Sequence, residues 1–89
     1  MSDTLRPERT AKMRLQRTIQ AVIRPDDESG WVAECSDLHA VTQGESLDEV
    51  TANLREAVAL ALDGEDLATL GFAASPVIVV TLELEPALA

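Results

Sequence analysis

The sequence predicts a single small α+β domain of order β-β-β-α-β, an antiparallel sheet with one helix laid on one face. Three observations predict it. Apolar and polar residues alternate along residues 14–23 and again along 31–35, the period of two that marks strands with one buried face. From Leu47 to Leu62 the apolar spacing becomes helical, behind a clear helix-start signal. From Val77 the chain carries its densest run of β-branched residues, Val77, Ile78, Val79, Val80 and Thr81.

Residues 1–13 are polar, contain Pro7 and show no sustained period, so they are predicted as a flexible basic lead-in to a domain spanning 14–85, with a short tail at 86–89. The first strand is expected from Arg14 to Ile23. Leu15, Ile19, Ala21 and Ile23 share its core face, interrupted by Arg17, and Gln16, Thr18, Gln20 and Val22 share the other. The polar run Arg24 to Ser29 closes a hairpin turn at Gly30. Trp31, Ala33 and Cys35 then face the core, with Val32, Glu34 and Ser36 opposite. A loop from Ser36 to His39 leads to a short strand, Ala40 to Gln43, that ends at Gly44.

The helix that follows has an apolar stripe of Leu47, Val50, Leu54, Val58, Ala61 and Leu62. Its start reads as a capping box: Ser46 accepts from the N–H of Glu49, and the Glu49 side chain reaches back to the N–H of Ser46. Asp48 and Glu49 add negative charge at the positive end of the helix dipole, and Gly64 can end the helix in a left-handed conformation. Between Asp63 and Ser75, Leu67, Leu70 and Phe72 are the apolar contacts of a short helical turn, Phe72 serving packing rather than binding. Pro76 opens the last strand, Val77 to Leu84, in which Ile78, Val80, Leu82 and Leu84 alternate with Val77, Val79, Thr81 and Glu83. The predicted core is the layer where Leu47, Val50, Leu54, Val58 and Ala61 meet Ile19, Ala21, Trp31, Cys35 and Ile78.

A chain of 89 residues makes one core. Domains of this size bury only about 60–65% of their unfolded surface, so self-association or a partner is a natural source of added stability. One cysteine excludes an internal disulfide, and the absence of a signal-peptide pattern makes the cytoplasm the expected compartment. The longest apolar stretches, Ala57 to Leu62 and Ala73 to Val80, fall well short of the ~20 residues that span a bilayer, so no membrane association is expected.

Charge is uneven. Residues 1–17 hold five basic and two acidic groups, a balance of +3, so the total of −9 leaves −12 for residues 18–89. Only Arg24 and Arg55 are basic beyond residue 17, and Trp31 and Phe72 are the only aromatics. Direct nucleic-acid binding is therefore not expected, for want of both a cationic track and a stacking platform. The acidic body has two readings: a surface that keeps a small protein dispersed, or one that attracts a basic protein.

No catalytic residue, cofactor or metal is predicted. The chain has one His, one Cys and no Tyr, and it lacks a phosphate-binding glycine loop or a G-x-S-x-G elbow. Cys35 and His39 are spaced C-x3-H, but a structural zinc site needs four ligands, and alternation turns Cys35 inward as an inert thiol. A metal-dependent nuclease would have to gather its carboxylates from Glu34, Asp37 and the turn Asp26 to Glu28, which reads more simply as a solvated hairpin. Two candidate surfaces remain. Glu34, Asp37, exposed Leu38 and His39 can form an acidic and apolar knob for a basic partner; alternatively Asp37 only closes an Asx-type turn and His39 is a solvated turn residue. Val22, Val32, Val77 and Val79 share the face that the helix leaves uncovered, with Thr18, Gln20, Glu34 and Thr81. They form either an oligomer or partner surface or the scattered valines of a solvated sheet.

The block from Gly30 to Leu62 resembles the HicB family of antitoxins in its stand-alone form, and the resemblance covers roughly residues 15–84. The matching pieces are the aromatic-Val-Ala-Glu strand Trp31 to Glu34, the Ser-Asp-Leu turn Ser36 to Leu38, the Val-Thr-Gln-Gly strand end Val41 to Gly44, and the Ser-Leu-Asp-Glu helix start Ser46 to Glu49. Many relatives have a glycine in the turn after the leucine, where this chain has His39 and Ala40. The resemblance implies a partial ribonuclease H-like fold and a partner that is a small basic HicA-type ribonuclease toxin, with a double-stranded-RNA-binding-like fold and a catalytic histidine. Independently of the resemblance, the small core and the uncovered valine face lead to the expectation of a homo-oligomer, dimer or higher. Regulatory relatives carry a C-terminal DNA-binding domain that the 89 residues do not include, so operator binding is not expected. The alternative is an orphan homo-oligomeric binding domain of the same fold with another partner or ligand.

Overall fold

The computed structural model describes residues 14–87. The lead-in predicted at 1–13 and the last two residues of the tail lie outside them. The described chain is one α+β domain whose elements follow the predicted order: β1 (Gln16–Pro25), β2 (Trp31–Cys35), a 3-10 turn (Ser36–Leu38), β3 (Ala40–Gly44), α1 (Leu47–Leu62) and β4 (Phe72–Leu82). They build one four-stranded sheet of order β3-β2-β1-β4.

The sheet is mixed, which corrects the expected antiparallel arrangement. β1 pairs antiparallel with β2, and β2 with β3, whereas β4 lies parallel to β1. The reason is the single helix. Two hairpins leave β3 running parallel to β1, and α1 then carries the chain back across the sheet, so β4 begins at the same end as β1. There the Gln16 N–H donates to the Gly71 carbonyl at 2.8 Å.

β1 starts two residues later than expected and extends through Arg24 and Pro25, which pair with Val32 and Trp31. Leu15 consequently precedes the sheet and is exposed instead of joining the core. β4 begins five residues earlier than expected, at Phe72, because a bulge between the Phe72 and Val77 pairings absorbs residues 73–76. Pro76 thus sits inside the strand's irregular part, not at its start.

The core joins Ile19, Ala21 and Ile23 of β1, Ala33 and Cys35 of β2, Val50, Leu54 and Val58 of α1, and Phe72. Trp31, Leu38, Ala40, Leu62, Leu67 and Ile78 pack around it. Burying each large aliphatic side chain contributes roughly 1.5–3 kcal/mol. The stripe on α1 is narrower than its sequence pattern: Leu47 is exposed and Ala61 and Leu62 are half-buried.

Local signals placed the helix well. Ser46 accepts from the Glu49 N–H at 3.1 Å, as predicted, but the Glu49 carboxylate accepts from the N–H of Glu45 at 2.7 Å rather than that of Ser46. Gly64 takes φ +76° just past the helix end. α1 comes down closest over β3. The Asn53 amide donates to the Gln43 carbonyl at 2.8 Å, and a Cβ on Gly44 would lie 2.5 Å from the Val50 nitrogen and 2.8 Å from its Cα. Gly44 is therefore a close-approach glycine, not merely a strand terminator.

Candidate functional site

The sheet face opposite α1 carries the surface groups that sequence reasoning singled out. Register sets them in rows. Val41, Glu34, Val22 and Thr81 lie side by side across all four strands, and Gln43, Val32 and Arg24 form the next row. Towards the other end, Gln20 pairs with Val79 and Thr18 with Val77. The four predicted valines do share this face. Val22 and Val32 are interleaved with Glu34 and Arg24, however, so only Val77 and Val79, on the edge strand, form an apolar strip uninterrupted by charge.

At the β2–β3 end this face is hollowed. Val22, Glu34, Cys35, Ser36, His39, Ala40 and Val41 line an open hollow of about 390 Å³. The turn shapes it. Ser36 to Leu38 form a 3-10 turn closed by the His39 N–H donating to the Ser36 carbonyl at 3.3 Å. His39 itself is left-handed, with φ 55° and ψ 38°, the conformation that glycine adopts without strain.

The four residues predicted as a knob separate into two pairs. Glu34 and His39 line the hollow with exposed side chains. Asp37 turns back: its carboxylate accepts from the Gln20 N–H of β1 at 3.3 Å, beyond the point where β2 has ended. It takes the place of the missing strand on that stretch of β1 and does not close the Asx-type turn within its own loop. Leu38 is half-buried against the core, which corrects the expectation of an exposed leucine, because the tight turn folds it inward.

Glu34 also has a cation beside it. The Arg24 guanidinium donates to its carboxylate at 2.6 Å, diagonally across β1 and β2. That hydrogen bond, followed by the charge of Glu34, raises the Arg24 pKa above its ordinary value. Both side chains are more than a third solvent-exposed, so the pair contributes little to stability and mainly fixes where Glu34 points.

Val41 is the residue that sequence reasoning missed. It is 66% exposed and completes the hollow beside Glu34. The signal was present, since Val41 alternates with Ala40 and Thr42, but a five-residue strand between two turns gives a weak period. Cys35 is fully enclosed, as expected for an inert thiol. Among the described residues no three of His, Cys, Asp and Glu converge in ligand geometry, and no helix is long and apolar enough to cross a membrane.

No family model, curated protein or solved structure matches the chain. The functional reading therefore rests on the site and on the motifs of the sequence.

Proposed function

We propose that this protein is a HicB-like antitoxin or a relative of one, a partial ribonuclease H-like domain that binds and neutralises a small basic ribonuclease of the HicA type by protein–protein contact in the cytoplasm. The observation that carries the reading is the hollow on the uncovered face, where carboxylate Glu34 stands between Val22 and Val41 with His39 at the rim. A basic side chain of a partner can meet Glu34 there while its apolar neighbours cover the two valines. The body charge of −12 over residues 18–89 would steer a cationic partner to it. Binding is favoured over catalysis because the single His, single Cys and absent Tyr supply no nucleophile, base and stabiliser in one place.

The test is co-expression with the product of the neighbouring reading frame, a small basic chain on this proposal. Co-purification and relief of its growth inhibition are expected, with Glu34→Arg weakening the complex ~10-fold or more, as for a charge reversed at a complementary interface. Failure of both co-purification and rescue would end the proposal.

A further inference from the structure

Beyond residue 17 the chain has two basic residues, and one of them, Arg24, sits on the carboxylate that the proposed function gives to a cationic partner. A surface built only to attract a cation would leave Glu34 bare. Instead Glu34 is already neutralised, by a single bond from Nη1 of Arg24 to its Oε1 at 2.6 Å. Among the described residues no hydrogen bond reaches the second oxygen, Oε2.

Arg24 also has a second carboxylate beside it. Ile23 pairs with Leu82 and accepts from the Glu83 N–H at 2.9 Å, so the next residues along the two parallel strands, Arg24 and Glu83, are neighbours. Alternation puts Glu83 on the uncovered face, two residues after Thr81, which pairs with Val22. Arg24 therefore stands between Glu34 on one side and Glu83 on the other. After the bond and charge of Glu34, the charges of Glu83 and then Asp27 further raise its pKa. Glu83 is exposed and does not line the hollow.

On the reading that the hollow takes a cationic side chain, on which this rests, we infer that the side chain is an arginine, that it grips both oxygens of Glu34, and that it displaces Arg24 onto Glu83. A guanidinium presents a planar fork that matches a carboxylate oxygen for oxygen. Arg24 holds Oε1, so the fork closes only when Arg24 leaves. An entering lysine is a point charge that sits on Oε2 with Arg24 still in place, two cations on one carboxylate. The walls favour the same choice. Val22 and Val41 flank Glu34 in its row, and a guanidinium is hydrated weakly enough to lie against such side chains.

Displacement leaves no charge stranded. Arg24 cannot discharge by losing its proton, so it needs another acceptor, and Glu83 supplies one without a backbone change. Arg24 and Glu34 are 39% and 47% exposed, and exposed pairs are individually weak, so one exchanges for the other at little cost. Arg24 is thus a cover that keeps Glu34 neutral until a guanidinium arrives, and Glu83 is the positioning residue that receives it.

The experiment is an NMR titration of the full chain with a capped triarginine peptide and, separately, with capped trilysine. Signals of Val22, Glu34 and Val41 should respond to both. Only triarginine should also move the Arg24 Nε–H and the Glu83 carboxylate carbon. Arg24→Gln removes the competitor and should tighten triarginine binding about 2–5-fold, more than Arg55→Gln, which removes the same charge away from the hollow. Glu83→Gln should weaken binding about 2–5-fold in the native background and have no effect beside Arg24→Gln. Weaker binding in Arg24→Gln would make Arg24 a support for Glu34 and overturn the inference. Equal losses from Glu83→Gln with and without Arg24 would overturn it as well, leaving only general charge attraction, as would silence of the hollow residues. The peptides require no toxin, so each of these failures is separate from a failure of co-purification and rescue.

Discussion

At the β3 edge the helix comes down onto the sheet, whereas at the β4 edge it stands clear. Over β3, Gly44 admits the backbone of Val50 and Asn53 bonds the strand's carbonyl. Across the sheet, Ile19 on β1 is fully buried, yet Val80 and Leu82, on the same face of the adjacent strand, are 39% and 42% exposed. The apolar alternation is as regular in β4 as in β1. Alternation therefore tells which face a residue occupies, but not how far a single helix's footprint extends over that face.

Truncation should break this contrast most visibly. Leu54→Ala, on the buried stripe of the helix, is expected to cost about 2–5 kcal/mol, and Val80→Ala less than about 1 kcal/mol, by urea denaturation at low protein concentration. Equal losses would mean that the helix covers both halves alike. Gly44→Ala should follow at about 1–3 kcal/mol, because the added methyl must displace the backbone of Val50. An unchanged midpoint would show that α1 can lift from β3 at little cost. The smallest effects belong to the two strained residues, one in each half: His39 at φ 55° before β3 and Ser75 at φ 54° in the β4 bulge. A left-handed L-residue costs about 1–2 kcal/mol, and glycine returns about 0.5–1 of that through its freer unfolded chain. His39→Gly and Ser75→Gly should therefore each stabilise by up to about 1 kcal/mol; a loss at His39 would identify a side-chain contact in the hollow that outweighs the strain.

Much of the fold could be read beforehand. β2 and α1 fall where expected, because Gly30, Gly44, Ser46 and Glu49 punctuate them on the chain itself. β1 and β4 shifted by several residues because their ends are set by each other: Gln16 finds Gly71, and the bulge at 73–76 takes up the mismatch in length. The candidate site was legible in part. Glu34 and His39 follow from alternation and the turn, while the inward fold of Leu38 and the bond from Asp37 to Gln20 depend on a 3-10 turn that leaves no periodic trace, and the exposure of Val41 is only faintly marked in so short a strand.

By itself the sequence determined the order of elements, the face of each strand that seeks the core, the capped start of the helix and the excess of negative charge, since each depends on neighbours along the chain. Only the tertiary structure decided that β4 lies parallel to β1, that Gly44 is a point of close approach, and that the helix stands clear of the β4 edge. Those features depend on where a single 16-residue helix comes to rest on a sheet wider than itself.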